Sequence, residues 1–168
     1  MALRNLVNKN DPILHKKCRP VEVFDDKLEQ LIDDLAQTNE NADGAGIAAP
    51  QIGILRRVAV IHWEDTYVEL INPTLLEAKG TSRDIEGCLS CPDLWGYVTR
   101  PEQIKIQTYN RRGQTEEHKL RGHAARAALH EMDHLDGILF TDKADEMVEA
   151  AELERREKAR KKKNRGKR

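Results

Sequence analysis

Residues 130–134 read His-Glu-Met-Asp-His, and this stretch limits what the chain can fold into more than any other. On a helix, residues four apart lie one above the other, so His130 and His134 can bind one ion from one face. Glu131 then lies about 100° around the helix, within reach of a proton on water at that ion. The competing explanation is an amphipathic helix with two incidental histidines, and the context argues against it. Gly122 marks a plausible start and Gly137 a stop, since glycine tolerates the left-handed conformation that follows a helix. Between them Ala124, Ala125, Ala127, Ala128 and Leu129 favour helix and are mostly small enough to pack closely on a sheet.

Two histidines do not complete a catalytic site, which needs a third protein ligand and an open position for water. The metzincin pattern HExxHxxGxxH is matched through Gly137, but Phe140 stands where the third histidine belongs and cannot bind a metal. Glu149, Glu152 and Glu154 are nominal gluzincin-type ligands, although they lie in a highly charged stretch that reads better as a solvated helix face. Upstream, Glu86-Gly87-Cys88-Leu89-Ser90 offers a stronger donor, because a thiolate binds zinc or ferrous iron well and metal binding itself deprotonates it. Gly87 lets the backbone approach an ion, and Leu89 offers a neighbouring N–H. Cys88 and Cys91 also form a C-x-x-C. A structural zinc site would want a second pair, and Cys18 stands alone. A thioredoxin-like site would need a βαβ setting that these surroundings do not supply. Cys88 is therefore the candidate ligand, and Cys91 a bystander or an oxidation liability.

A third block, Gly44-Ala45-Gly46-Ile47-Ala48-Ala49-Pro50-Gln51, describes a tight backbone segment that comes close to something. A phosphate loop is disfavoured, since no Gly-Lys-Ser/Thr follows and Rossmann spacing is absent. Gln51 supplies a neutral amide donor suited to an oxyanion.

In this order and spacing, GAGIAAPQ, EGCLS and HEMDH resemble the peptide deformylase family, over about Asn8 to Asp142. The resemblance implies metal ligation by Cys88, His130 and His134, with Glu131 as general acid/base. It implies oxyanion donors at the Gln51 amide and the Leu89 backbone N–H, and a backbone position at Gly46 that holds substrate as an added strand. It also suggests a Glu86–Arg100 ion pair bracing the Cys88 strand, the alternative being ordinary surface charge. Three positions depart from the family pattern: Ile47 where Leu is usual, Ala45 where Ile or Val is common, and Cys91 where an aliphatic residue is usual. Against the family pattern, the small Ala45 is expected to widen the pocket beside the metal. His15, His62 and His118 read as surface or core residues. His123 lies seven residues before His130 and, with Arg126 and Ala127, falls on the metal-facing side of the helix. All three, with Ala45, are candidates to line the substrate side-chain pocket.

The 168 residues form one domain, ample for a single core. No apolar run reaches membrane-spanning length and no signal or transit segment is evident, and three cysteines fit a reducing cytoplasm better than a disulfide scaffold. Aromatics make up 4% of the chain, so the core should lean on Leu, Ile, Val and Ala. The net charge of −1 conceals an asymmetry, because Arg155–Arg168 carries ten Lys/Arg against one Glu. Residues 1–150 are thus expected to form the catalytic domain and 151–168 a basic helix or tail. That tail is either a solvated extension or a contact with nucleic acid, the ribosome in particular.

Helical spacing of Leu28, Leu31, Ile32 and Leu35 predicts a helix from about Asp25 to Asn41. Strand-like segments follow at Arg57–His62, Val68–Ile71, Thr74–Lys79, Ile104–Thr108 and Glu116–Leu120, with a hairpin turn at Asn110–Gly113. A charged terminal helix is expected over Asp145–Lys163. Strands clustered between helices indicate an α+β fold, with antiparallel or mixed sheets packed around a central HExxH helix.

The expected activity is removal of the formyl group from N-formylmethionyl peptides by one divalent ion. Ferrous iron is implied by the resemblance, and zinc, nickel or cobalt suit the same ligands. The rival functions are a zincin endopeptidase, disfavoured by Phe140, and an RNA-binding protein with a purely structural metal, which an open coordination position would disfavour.

Overall fold

The computed structural model describes residues 2–167. Helix α1 (Asp26–Asn41) starts where the Asp25 carboxylate accepts the Leu28 N–H. Its buried Leu28, Ile32 and Leu35 pack on one face of an antiparallel sheet, β1 (Gly46–Ala48), β2 (Val58–Trp63) and β3 (Thr66–Ile71), against Ile47, Val58, Val60 and Ile71. Alternate residues of the same strands face the other way. Ala48, Ala59, Ile61 and Leu70 there meet Ala124, Ala125, Ala128 and Leu129 of α2 (Gly122–Leu135). The alanine-rich face lets α2 come close to this sheet. Truncating a fully buried member such as Ile61 to Ala should cost about 2–5 kcal/mol.

A second sheet, ordered β4 (Thr74–Lys79), β7 (Gln103–Tyr109), β8 (Thr115–Arg121), extends this layer. Thr108 joins the two sheets: its Oγ1 accepts the Ile71 N–H at 2.7 Å and donates to the Ile71 carbonyl at 3.1 Å. Ile104, Ile106 and Leu120 continue the core beneath α2. Gly113 donates to the Asn110 carbonyl in the expected turn, and β8 leads directly into α2. Gly137, two residues past that helix, has φ of +75°, and a Cβ there would sit 2.8 Å from the His15 carbonyl oxygen. Glycine is required on both counts.

The third sheet, ordered β5 (Ser82–Cys88), β6 (Cys91–Arg100), β9 (Glu146–Val148), packs its Cys91 and Val98 with Leu14, Leu139 and Phe140, the last at the start of α3 (Phe140–Lys143). A register shift between Glu86 and Cys88 breaks the β5–β6 ladder beside the metal-ligand candidate.

Every strand pair among the described residues is antiparallel, the first of the two arrangements expected, beside an isolated parallel bridge between Arg19 and Arg56. Two expectations need correction. Strands β1, β6 and β9 were not among the expected strand segments, and β5 was expected only as the strand that carries Cys88, without its bounds: β1 is short and β5 has a single aliphatic residue, Ile85. The terminal helix does not begin at Asp145. Residues Glu146–Val148 pair with Trp95–Tyr97, burying Val148, and Arg83 grips Asp145 and Glu146, so helix α4 starts only at Ala150 and runs to Arg165. Helix α4 has no buried residue and touches the body where Arg156 lies 4.9 Å from the Tyr97 ring.

Candidate metal centre and active-site cleft

Helix α2 delivers His130, Glu131 and His134 to one place, and the end of β5 delivers Cys88. One ligand atom from each of Cys88, His130 and His134 lies within 4.8 Å of the others, close enough for a single ion. Cys88 Sγ is 3.3 Å from His134 Nε2. Burial, followed by the charges of His130 and Arg100, drives the His134 pKa well below the ordinary value, so its imidazole is neutral, as a ligand must be. The hydrogen bond to Cys91, burial and the Glu131 charge all push the Cys88 thiol up. A cation at this point would reverse that preference. Phe140, at the position where a metzincin has its third histidine, is instead core and stacks on the His130 ring at 6.1 Å.

Glu131 is buried, and burial raises its carboxyl to about 7. Its Oε2 and the His134 Nδ1 are buried polar atoms without a hydrogen-bond partner. Such groups are costly unless an ion, water or substrate meets them. A divalent cation therefore fits the donor set: soft thiolate, two imidazoles and an adjacent carboxyl left free. Gly46 makes room for that carboxyl, since a Cβ there would stand 3.0 Å from Glu131 Oε1.

Behind the histidines lies a buried ion network. The Glu86 carboxylate accepts from Arg100 Nη2 at 2.8 Å, from Arg126 Nη1 at 2.7 Å and from His130 Nδ1 at 2.8 Å. Arg100 also reaches Asp133, three residues along the same helix, at 2.9 Å. Burial would raise the Glu86 pKa, but the bonds from Arg100 and His130 and their charges outweigh it and hold it at about 2. Two carboxylates thus balance two guanidinium groups, and the His130 ring is fixed with Nε2 left as the available donor. The Glu86–Arg100 pair is present as expected. Asp133 was not singled out, although it lies within the HEMDH motif.

A cleft of about 460 Å³ opens in front of these residues. Gly44, Ala45 and Gly46 border one side and Ile85–Leu89 the other, with His123, Arg126, Ala127, His130 and Glu131 from α2. β1 and β5 are the outer strands of their sheets, so both border the cleft with an unpaired edge. Gln51 is buried. Its Oε1 accepts the Ala48 N–H at 2.9 Å, which turns Nε2 toward Ser90 Oγ at 3.2 Å and Cys88 Sγ at 3.6 Å. Leu89 lies at the β5–β6 turn on the same cleft. Arg126 borders the cleft with its charge already engaged. Its guanidinium donates to Glu86, to the Val98 carbonyl and to the Ser82 carbonyl, so its charge is committed to β5 and β6 rather than offered to a ligand. Trp63 and Trp95 also line the cleft, and no sequence motif pointed to them.

A polypeptide deformylase family model matches residues 3–150. The peptide deformylase of Caldicellulosiruptor bescii is 45% identical over 156 residues, covering 93% of this chain and 94% of that protein. The chain belongs to the peptide deformylase family. The crystal structure of peptide deformylase from Thermotoga maritima superposes with a TM-score of 0.84 at 38% identity, covering 86% of this chain and 99% of that one. The Legionella pneumophila peptide deformylase structure gives 0.82 at 32% identity and covers 99% of both chains. The α+β architecture with antiparallel sheets is that of peptide deformylase. The protein is accordingly a hydrolase acting on a formyl amide: peptide deformylases are metal-dependent and remove the N-terminal formyl group from nascent peptides. Among the described residues no helix is long and apolar enough to cross a membrane.

Proposed function

We propose that Cys88, His130 and His134 hold one divalent cation and that Glu131 is the general acid/base of deformylation. The observation that carries this reading is the convergence of three donor atoms from two elements within 4.8 Å, beside a buried carboxyl with an unpartnered oxygen. When bound, the cation acidifies a water and polarises the formyl carbonyl. Glu131 takes the proton from the attacking water and passes it to the leaving amine nitrogen, giving formate and a free N-terminus. The Gln51 amide, held in place through its bond from Ala48, and the Leu89 N–H donate to the developing oxyanion.

Gly46 pairs with the extended substrate in the gap between the β1 and β5 edges. Ala45, Ala127, His123 and the stem of Arg126 receive the methionine side chain. The ion is ferrous iron, with zinc, nickel and cobalt as substitutes for the same mixed ligands. Residues 1–150 are the catalytic domain, working in the cytoplasm. The 151–168 segment is a basic appendage that brings the enzyme to the ribosome, where formylated chains emerge. The test is direct: the parent should release formate from formyl-Met-Ala-Ser and leave casein intact. Glu131→Ala should lose turnover by roughly a hundredfold or more while keeping the ion. Near-normal turnover in a metal-loaded Glu131→Ala protein would remove Glu131 from the mechanism.

A further inference from the structure

Gln51 lies in the short helical turn Ala49–Ile52 that follows β1, and Leu89 lies in the tight turn that follows β5. Among the described residues no strand ladder joins β1 to β5, so sheet pairing does not set the distance between these two groups. One link between the turns is made by side chains, from the Gln51 amide to Ser90 Oγ. A second is made by backbone alone, through a segment near the start of the chain. The Val7 N–H donates to the Gln51 carbonyl and the Lys9 N–H to the Ser90 carbonyl, each at 2.8 Å. Val7 and Lys9 are half-buried while Leu6, Asn8 and Asn10 are exposed, and the two residues they hold are each 1% exposed. This strap is fixed at both ends. Upstream, the Arg4 N–H donates to Thr38 Oγ1 at 3.1 Å and Arg4 Nε to the buried Asp34 carboxylate at 2.9 Å, both on α1. Downstream, the Asp11 N–H donates to the Asn8 carbonyl, and Leu14 is fully buried with Cys91 and Phe140.

We infer that Val7 and Lys9 are positioning residues, whose backbone N–H groups set the separation of the Gln51 amide from the Leu89 N–H. This rests on the reading of those two groups as the oxyanion donors. Two residues of chain span at most about 7 Å, so the strap limits how far the two carbonyls it holds can move apart. Each donor is tied closely to its carbonyl. The Gln51 side chain is locked to its own turn by the Ala48 N–H, and the Leu89 N–H belongs to the same tight turn as Ser90. An oxyanion site works by preorganisation, its donors already standing about 2.7–3.1 Å from where the charge develops. A misplacement of about 1 Å can cost roughly a hundredfold in rate. That charge develops only in the transition state, so releasing the strap should lower kcat and leave KM nearly unchanged.

The experiment measures kcat and KM on formyl-Met-Ala-Ser for Val7→Pro, which lacks the N–H, against Val7→Ala, which keeps it. Both changes are made in the parent and in Gln51→Ala, with all proteins metal-loaded and their metal content confirmed. In the parent, Val7→Pro should lower kcat roughly tenfold to hundredfold relative to Val7→Ala, with KM within about twofold. In Gln51→Ala the same change should cost less than about threefold, because the strap then acts on a group already removed. Lys9→Pro against Lys9→Ala repeats the comparison on the Leu89 turn, and there kcat should fall in both backgrounds. Should Val7→Pro fail to fold, the Lys9 pair decides alone. The proposal is overturned if a folded proline variant matches its alanine control in kcat, or if the loss appears chiefly in KM. It is equally overturned if Val7→Pro costs as much in Gln51→Ala as in the parent. A Gln51→Ala protein as fast as the parent would overturn the reading of Gln51 as an oxyanion donor, and the role of the strap with it.

Discussion

His130 Nδ1 donates to Glu86 Oε1 at 2.8 Å, and that contact decides which ring nitrogen remains for an ion. Glu86 in turn is held by Arg100 and Arg126, so a helix residue is oriented through two strands. Glu86→Gln removes the charge while keeping the shape. It should weaken metal binding about 10- to 100-fold, as loss of a ligand-orienting carboxylate does. It should also lower stability by roughly 3 kcal/mol, since two buried guanidinium groups lose their shared counter-charge. Chelator competition and urea unfolding of the metal-free protein read the two effects separately. Unchanged metal affinity would show that the Glu86 contact is purely structural.

Glu131 should make the metal-free protein less stable as pH rises. Burial raises its carboxyl from 4.5 to about 7. Between those values the folded state binds more protons than the unfolded chain, so stability is full below the lower value and is lost as pH climbs through the upper one. The shift corresponds to roughly 3 kcal/mol. Glu131→Gln abolishes that titration. Without metal it should exceed the parent by roughly 2–3 kcal/mol near pH 8 and match it near pH 4 in urea midpoints. A gap that does not change with pH would rule out desolvation of Glu131 as the cause.

What could be read in advance was set by how local the signal is. Helix α1, the β7–β8 hairpin and α2 announce themselves through periodicity, caps and turn residues close together in sequence. That Cys88 comes to lie beside His130 and His134 was legible because an incomplete HExxH wants a third donor, and the family resemblance names Cys88. The bounds and partners of β1, β5 and β9 were not legible, because each has too few alternating apolar residues to signal alone, and β9 is defined by a partner far away in sequence. Helical spacing placed Arg126 on the cleft side, but only the folded chain reveals that Glu86, Val98 and Ser82 capture its guanidinium. Trp63 meets His123 only because β2 packs on α2, and no local pattern encodes that contact.

Cys91 gives the centre an oxidative weakness. Cys88 and Cys91 are directly opposed across the β5–β6 hairpin. Directly paired strand residues lie about 5.5 Å apart at Cα when they exchange backbone hydrogen bonds, within the range a disulfide spans. Peroxide would take two electrons and two protons from the pair, leaving a disulfide and two waters, and the ion would lose its thiolate. Cys91→Ser should therefore survive peroxide several-fold longer than the parent. Equal inactivation rates would point to direct oxidation of Cys88 or of the metal.

The basic helix should matter for location and not for chemistry. From Arg155 to Arg168 the sequence carries nine net positive charges, while residues 1–154 carry a net −10. Binding to ribosomal RNA through this segment should fall steeply with salt. Truncation after Glu154 removes none of the proposed site residues. Turnover of formyl-Met-Ala-Ser should stay within about twofold, and co-sedimentation with ribosomes at low salt should largely disappear. Equal sedimentation of the shortened chain would make α4 a solvated extension.

Metal content tests the proposed centre most directly. Purified parent, Cys88→Ala and Glu131→Ala proteins, each confirmed as folded, would be analysed for divalent metal per chain after loading and desalting under exclusion of oxygen. One ion per chain is expected in the parent and in Glu131→Ala, with the ion largely lost from Cys88→Ala, because Cys88 is a ligand and Glu131 is not. Full metal retention in Cys88→Ala would contradict the assignment of Cys88, His130 and His134 as the site.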